Sequence, residues 1–243
     1  MRRGVSIIAL LGLLGAASLV FAFLPKAAPA ALKAPVVAAV VVPVPSAAPL
    51  PATPPSRFMA LPALRLENQT THAVLETRLY DAAGNVDEGA AARLDELLCD
   101  GRDPKHHKTR RINRRTLQLL FKAAYHFGLY EVEVVSAYRA PGRRREGFHG
   151  KGDAVDFRLK GLEAATLAAY LRQQPRTGVG IYTHPKTQYV HLDSREHSFH
   201  WLDASPPRRR WREKSIGAAD LVQRDRDYLP QGDLPDFGAT SAG

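Results

Sequence analysis

Val5 to Leu24 forms a run of 20 residues without a charge, preceded by Arg2 and Arg3. A helix of about 20 apolar residues spans the hydrocarbon core of a bilayer, and arginines before it mark the cytoplasmic side. A cleaved signal has a shorter apolar region of roughly 7–15 residues and a small-x-small site. Ala28-Pro29-Ala30 is a poor site because of its proline. An uncleaved anchor over residues 1–24 is therefore favoured over a cleaved signal, and either one exports the remainder. Residues 25–57 are dominated by Ala, Pro and Val with almost no charge. That is the composition of an extended, semi-rigid tether rather than of a core. These two segments leave folding to the rest of the chain: one domain over residues 58–216, then a polar tail over residues 217–243 that is expected to be loose.

Hydrophobic residues make up 45% of the chain and charged residues 24%, which suits a globular core. The single cysteine, Cys99, excludes an intramolecular disulfide framework and any cysteine-based zinc cage. Cys99 follows Leu97 and Leu98 and reads as a half-buried structural thiol. The net charge of +10 has two readings, an anionic partner or a solvated basic surface. Its clusters are Arg110-Arg111, Arg114-Arg115, Arg143 to Arg145 and Arg208 to Arg210. An exported chain is not expected to meet nucleic acid, and a monomer is expected.

Short apolar segments alternate irregularly with helical ones. Leu64 to Asn68 and Ala73 to Thr77 read as strands, the second extended by Arg78 to Asp81 up to the turn Ala83-Gly84-Asn85. Asp87 begins a helix through Leu98, and Asn113 caps a second with Leu117, Leu120, Phe121, Ala124 and Tyr125 on one face and Gly128 as its stop. Gly101 to Arg111 is polar and basic and reads as a loop. Further strands carry Val132, Val134 and Val135; then Ala154, Val155 and Phe157; then Val179 and Ile181; then Tyr189, Val190 and Leu192. A helix over Leu162 to Gln173 places Leu167, Ala168 and Leu171 inward. Without regular strand–helix–strand alternation, the expected class is α+β, a central mainly antiparallel sheet flanked by helices.

The segment His149-Gly150-Lys151-Gly152-Asp153-Ala154-Val155-Asp156-Phe157 concentrates the chemistry. Asp156 lies in an apolar strand, where a carboxylate is costly unless paired or metal-bound. His191 lies in a second apolar strand, Tyr189-Val190-His191-Leu192-Asp193. Two imidazoles and one carboxylate form a donor set that zinc accepts, leaving a fourth position for water. A single strand histidine is ordinarily structural, so the trio carries the reading. His106 and His107 sit in a basic loop and read as exposed. His197 and His200, beside Trp201, read as part of a strand rather than as a second metal pair.

The pattern His-x-x-Gly-x-Ala-x-Asp, met by His149, Gly152, Ala154 and Asp156, resembles the zinc motif of the D-Ala-D-Ala metallopeptidases, whose fold is shared with hedgehog-type domains. Val135-Ser136-Ala137-Tyr138-Arg139 resembles the family's Ser-x-Tyr-Arg segment. Gly178 to Tyr182, followed by Val190-His191-Leu192-Asp193, resembles the closing block of an exported murein-endopeptidase-like branch. The resemblance implies zinc held by His149, Asp156 and His191, and a catalytic, oxyanion-steadying role for Arg139. It also implies substrate contacts at Ser136, Tyr138 and Arg139, and a peptidoglycan peptide as substrate. Location would be the periplasm or cell envelope, tethered to the inner membrane by the N-terminal segment.

The chain departs from the family where relatives carry a general base before the last ligand: Gln188 and Tyr189 stand there. Asp193, two residues after His191 and so on the same strand face, is the expected base or a partner of that histidine, with His184 the other candidate. The stretch between Arg139 and His149 is short, and Gly147 stands where relatives often have Ser or Thr. Three functions are expected, in this order: a zinc peptidase acting on wall peptides, a zinc-containing peptidoglycan-binding module, and a wall protein without metal.

Overall fold

The structure, a computed structural model, describes residues 57–99, 111–139, 147–209 and 213–237. The anchor and tether, the loop with His106 and His107, Arg110, Arg143 to Arg145, Arg210 and Trp211 lie outside the described residues. Among the described residues no helix is long and apolar enough to cross a membrane.

The strands are β1 (Leu64–Asn68), β2 (Val74–Thr77), β3 (Glu131–Ser136), β4 (Ala154–Leu159), β5 (Thr177–Tyr182), β6 (Tyr189–Ser194), β7 (Phe199–Asp203) and β8 (Glu213–Ser215). The helices are α1 (Glu88–Leu97), α2 (Arg114–Phe127), α3 (Phe148–Lys151), α4 (Ala164–Leu171) and α5 (Leu221–Arg226). All eight strands join one sheet in the order β2-β1-β3-β4-β6-β5-β7-β8. Pairing is antiparallel except for β1 with β3 and β5 with β7. The α+β class with a mainly antiparallel sheet is thus the observed one.

Local chemistry sets the helix ends. The Asp87 carboxylate accepts from the Ala90 amide at 2.8 Å and starts α1, and Asn113 accepts from the Arg115 amide at 3.0 Å and starts α2. Gly128 closes α2 in the left-handed conformation. The second strand stops at Thr77 rather than continuing through Asp81. Asp81 instead accepts from the amides of Ala83 and Asn85 at 2.8 and 2.9 Å, an alternative to the ladder. Tyr80 keeps one isolated bridge, to Val86.

α2 and α4 pack against β4, β5 and β6. Leu117, Leu120, Phe121, Leu167 and Leu171 share one apolar cluster with Val155, Phe157, Val179, Val190 and Leu192. Strand alternation then sends Asp156, His191 and Asp193 to the opposite face of the sheet. Cys99 is fully within the cluster rather than half-buried.

Residues 218–237 of the tail, expected to be loose, pack against the domain. Asp225 accepts from the amides of Arg176 and Ser198 and from the Ser198 hydroxyl, each at 2.6 Å. Asp233 accepts from Arg115 Nε at 2.8 Å and from the Tyr228 hydroxyl at 2.6 Å. Phe237 stands edge-on to Phe58 with ring centroids 4.9 Å apart, so the end of the domain meets its beginning. Sequence polarity misled here because these carboxylates bond to backbone and side chains of the domain instead of to water. The same contacts bury α2 beyond its apolar stripe: Lys122 donates to Gly232 O at 2.6 Å.

Candidate metal centre

The site is assembled by three pieces of backbone. β3 carries one extra residue between Val134 and Ser136, a bulge that brings Ser136 opposite Asp156. The chain then passes Ala137 and Arg139 toward α3. That helix ends at Gly152, whose φ is 81° and whose missing Cβ would lie 2.5 Å from Arg111 O. α2 fastens this corner from beneath: Asn113 N donates to Gly152 O at 2.9 Å, and the Thr116 hydroxyl donates to Asp153 O at 2.8 Å. β4 and β6 pair so that Asp156 lies directly opposite His191. His149 sits on the four-residue α3, not on a strand like the other two.

The three donor atoms form a triangle. His191 Nδ1 is 2.8 Å from Asp156 Oδ1 and 3.1 Å from His149 Nε2, and His149 Nε2 is 3.3 Å from Asp156 Oδ1. Zinc bonds of ~2.0–2.1 Å at tetrahedral angles place ligand atoms ~3.3 Å apart, so these residues fit such an ion with little adjustment. The remaining ring nitrogens have acceptors as well. His149 Nδ1 donates to Ala137 O at 2.7 Å, and His191 Nε2 is 2.9 Å from Asp193 Oδ2. Outer hydrogen bonds of this kind fix the tautomer and ring plane of a ligating histidine. Among the described residues this is the one group of three His, Cys, Asp or Glu side chains close enough to share an ion.

Burial disfavours the Asp156 anion, but His149 and His191 outweigh it and hold its carboxyl far below the usual carboxylate range. Burial likewise opposes charge on His191, yet hydrogen bonds to Asp156 and Asp193 push its imidazole up to about 9. A metal entering here would displace that proton. Asp193 is raised by burial but lowered further by Arg195 and His191, so it is an anion.

Arg139 is half-exposed, with Nη2 3.8 Å from Asp156 Oδ2, beside the triangle and open to solvent. Ser136 is half-buried across from Asp156. Tyr138, expected to touch substrate, is only 2% exposed and belongs to the core cluster, so its ring faces away from solvent. Past the end of β3, Tyr138 pairs with Cys99 in an isolated bridge, its amide donating to Leu98 O at 3.0 Å, and this draws it toward the core. Asp193 is fully buried and lies behind His191, on the nitrogen turned away from Asp156 and His149. A carboxylate there is placed to orient the imidazole, the second of the two roles expected of it. His184 is occupied in its own turn, its Nδ1 accepting from the Lys186 amide at 3.2 Å. Tyr189 is half-buried and stacked on Tyr182 at 4.4 Å. Burial first and the Asp156 charge second keep its phenol protonated.

Several neighbours escaped the sequence reading. Arg195 forks onto both oxygens of Asp193, with Nε to Oδ1 at 2.6 Å. Trp201 leans on His191 with ring centroids 5.0 Å apart. The spacing His191, Asp193, Arg195 is the alternation that could have revealed the arginine; Trp201 arrives through β7 pairing and leaves no local signal. A hollow of about 620 Å³ lined by Met59, Glu76, Arg78 and Tyr80 lies at the β2 edge and contains none of these residues. Another, of about 350 Å³, is bordered by Glu133, Arg158, Lys186 and Gln188 just before β6 begins.

An α+β domain that brings Asp156 and His191 of its sheet together with His149 of α3, each histidine held through its other ring nitrogen, is built like a metallopeptidase. Residues 59–201 match the family described as peptidoglycan L,D-endopeptidase MepK, and the chain belongs to that peptidase family. The peptidoglycan L,D-endopeptidase MepK of Escherichia coli strain K12 is 26% identical over 143 residues, covering 54% of this chain and 75% of that protein. The probable peptidoglycan L,D-endopeptidase MepK of Haemophilus influenzae is 29% identical over 115 residues, covering 42% and 59%. No solved structure matches the chain.

Proposed function

We propose that the chain is a zinc-dependent peptidase that hydrolyses amide bonds in peptidoglycan peptides. The observation that carries this reading is the triangle of His149 Nε2, Asp156 Oδ1 and His191 Nδ1, within zinc-ligand spacing, in a member of an endopeptidase family. Zinc bound there supplies Lewis acidity and a nucleophilic water at neutral pH. Asp193 and Ala137 O hold the two imidazoles in the required tautomers. Arg139 offers a fixed cation to the oxygen that gains negative charge. Ser136 borders the substrate path, and the charged hollow of Glu133, Arg158 and Lys186 suits a peptide that bears both amino and carboxyl groups.

The same reading places the domain outside the inner membrane, in the periplasm or envelope. The support is the uncharged run from Val5 to Leu24 behind two arginines, and the Pro/Ala tether after it. Digestion of purified peptidoglycan tests the activity. The wild-type protein should release new fragments; His149→Ala and chelator-treated protein should not. Identical product profiles from all three would sink the peptidase reading. One observation favours a second reading, a zinc-containing module that binds peptidoglycan without cutting it: Asp193 is behind His191 rather than on the open side. Binding of sacculi without any fragment release would support that module.

A further inference from the structure

We propose that Arg195 is a positioning residue that braces two metal ligands at once, one through Asp193 and the other through Phe148. The inference rests on the reading of His149, Asp156 and His191 as a metal centre. His191 is held by Asp193, and Asp193 is completely buried, so its carboxylate plane is set by its protein partners alone. Arg195 supplies the fork: Nε donates to Oδ1 at 2.6 Å, and Nη2 to Oδ2, the oxygen that also faces His191 Nε2. Two parallel bonds from a planar guanidinium fix a carboxylate's rotation, which a lysine's point charge does not.

The other side of the same guanidinium lies over the Phe148 ring, 4.3 Å from its centroid. Phe148 opens α3, and the next residue is His149. A helix of four residues does not sustain itself, so its ring contact with Arg195 ties the His149 element to the β6 end that carries His191. Arg195 is itself fastened by its amide, which donates to Arg176 O at 3.1 Å, and its side chain is 16% exposed. The room for this arrangement comes from Gly178. A Cβ there would overlap both Arg195 Nη2 and Asp193 Oδ2. The centre thus depends on a residue that binds no metal and sits two positions beyond Asp193.

The test is zinc affinity of the full-length protein by chelator competition, for wild type, Arg195→Lys, Arg195→Met, Asp193→Asn and the double variant Asp193→Asn/Arg195→Met. Each single change should weaken zinc binding about 10–100-fold, as loss of outer partners of a metal ligand does. The double variant should lose less than the two single losses combined, because Arg195 acts on His191 through Asp193 and only its Phe148 contact is independent of that carboxylate. Arg195→Lys keeps the charge and decides the matter if Arg195→Met does not fold. Wild-type affinity in Arg195→Lys, or additive losses in the double variant, would overturn the inference. Failure of the wild-type protein to bind zinc would instead overturn the metal-centre reading, and this inference with it.

Discussion

Gly180 has no side chain where Trp201 needs the space. A Cβ at Gly180 would overlap the indole, and the indole leans on His191. Gly180→Ala should therefore destabilise the fold by about 1–3 kcal/mol, the usual cost of overpacking. It should also loosen the Trp201–His191 contact, which thermal unfolding and tryptophan fluorescence would report. The candidate ligands were legible as residues, because an aspartate or histidine inside an apolar strand needs a partner. The roles of their neighbours were not. Asp193 was placed on the correct face by strand alternation, but whether it lies before or behind His191 depends on the imidazole's rotation, which only packing sets. Tyr138 lost its expected surface position to backbone pairing with the distant Leu98–Cys99 segment.

At the scale of elements, the caps were readable because they are local: Asp87, Asn113 and Gly128 each act within their own turn. The segment from β8 through α5 was not, because its stabilising bonds reach across the chain. Asp225 accepts three hydrogen bonds, two of them from Ser198 twenty-seven residues away. Asp225→Ala should cost about 1–2 kcal/mol, since it strips part-buried donors on Arg176 and Ser198 of their acceptor. Denaturant unfolding would give the loss, and hydrogen exchange should show protection falling first over residues 213–237. Burial works against the Asp225 anion, but the bonds from Ser198 and Arg176 outweigh it and keep its carboxyl below the usual range. Its contribution is therefore present above the unfolded carboxyl value and is lost as pH falls through the folded one.

At the scale of the whole molecule, pH and metal should both move stability. His200 is 1% exposed and neither ring nitrogen has a hydrogen-bond partner. Burial, then the charges of Arg172 and Arg224, lower its imidazole from 6.5 to about 4. The unfolded chain takes up that proton first, so stability should fall as pH drops from about 6.5 toward about 4. A series of melting midpoints across that window should slope less for His200→Leu than for wild type. Equal slopes would show that His200 does not titrate as described. Zinc at ~1,000 times its dissociation constant should stabilise the wild-type fold by about 4 kcal/mol, and His149→Ala should remove that gain in calorimetry.

The sequence by itself determined the α+β class and the helix caps, and it singled out Asp156 and His191 as candidate ligands, with His149 added by the motif. His149 apart, each of these comes from interactions within a few residues or from the cost of a polar group in an apolar strand. Only the tertiary structure decided which side of His191 faces Asp193, that Arg195 and Phe148 pack beside it, that Tyr138 is core, and that residues 218–237 pack onto the domain. Those outcomes depend on strand register, ring rotation and hydrogen bonds between distant residues, whose partners cannot be read from local sequence spacing.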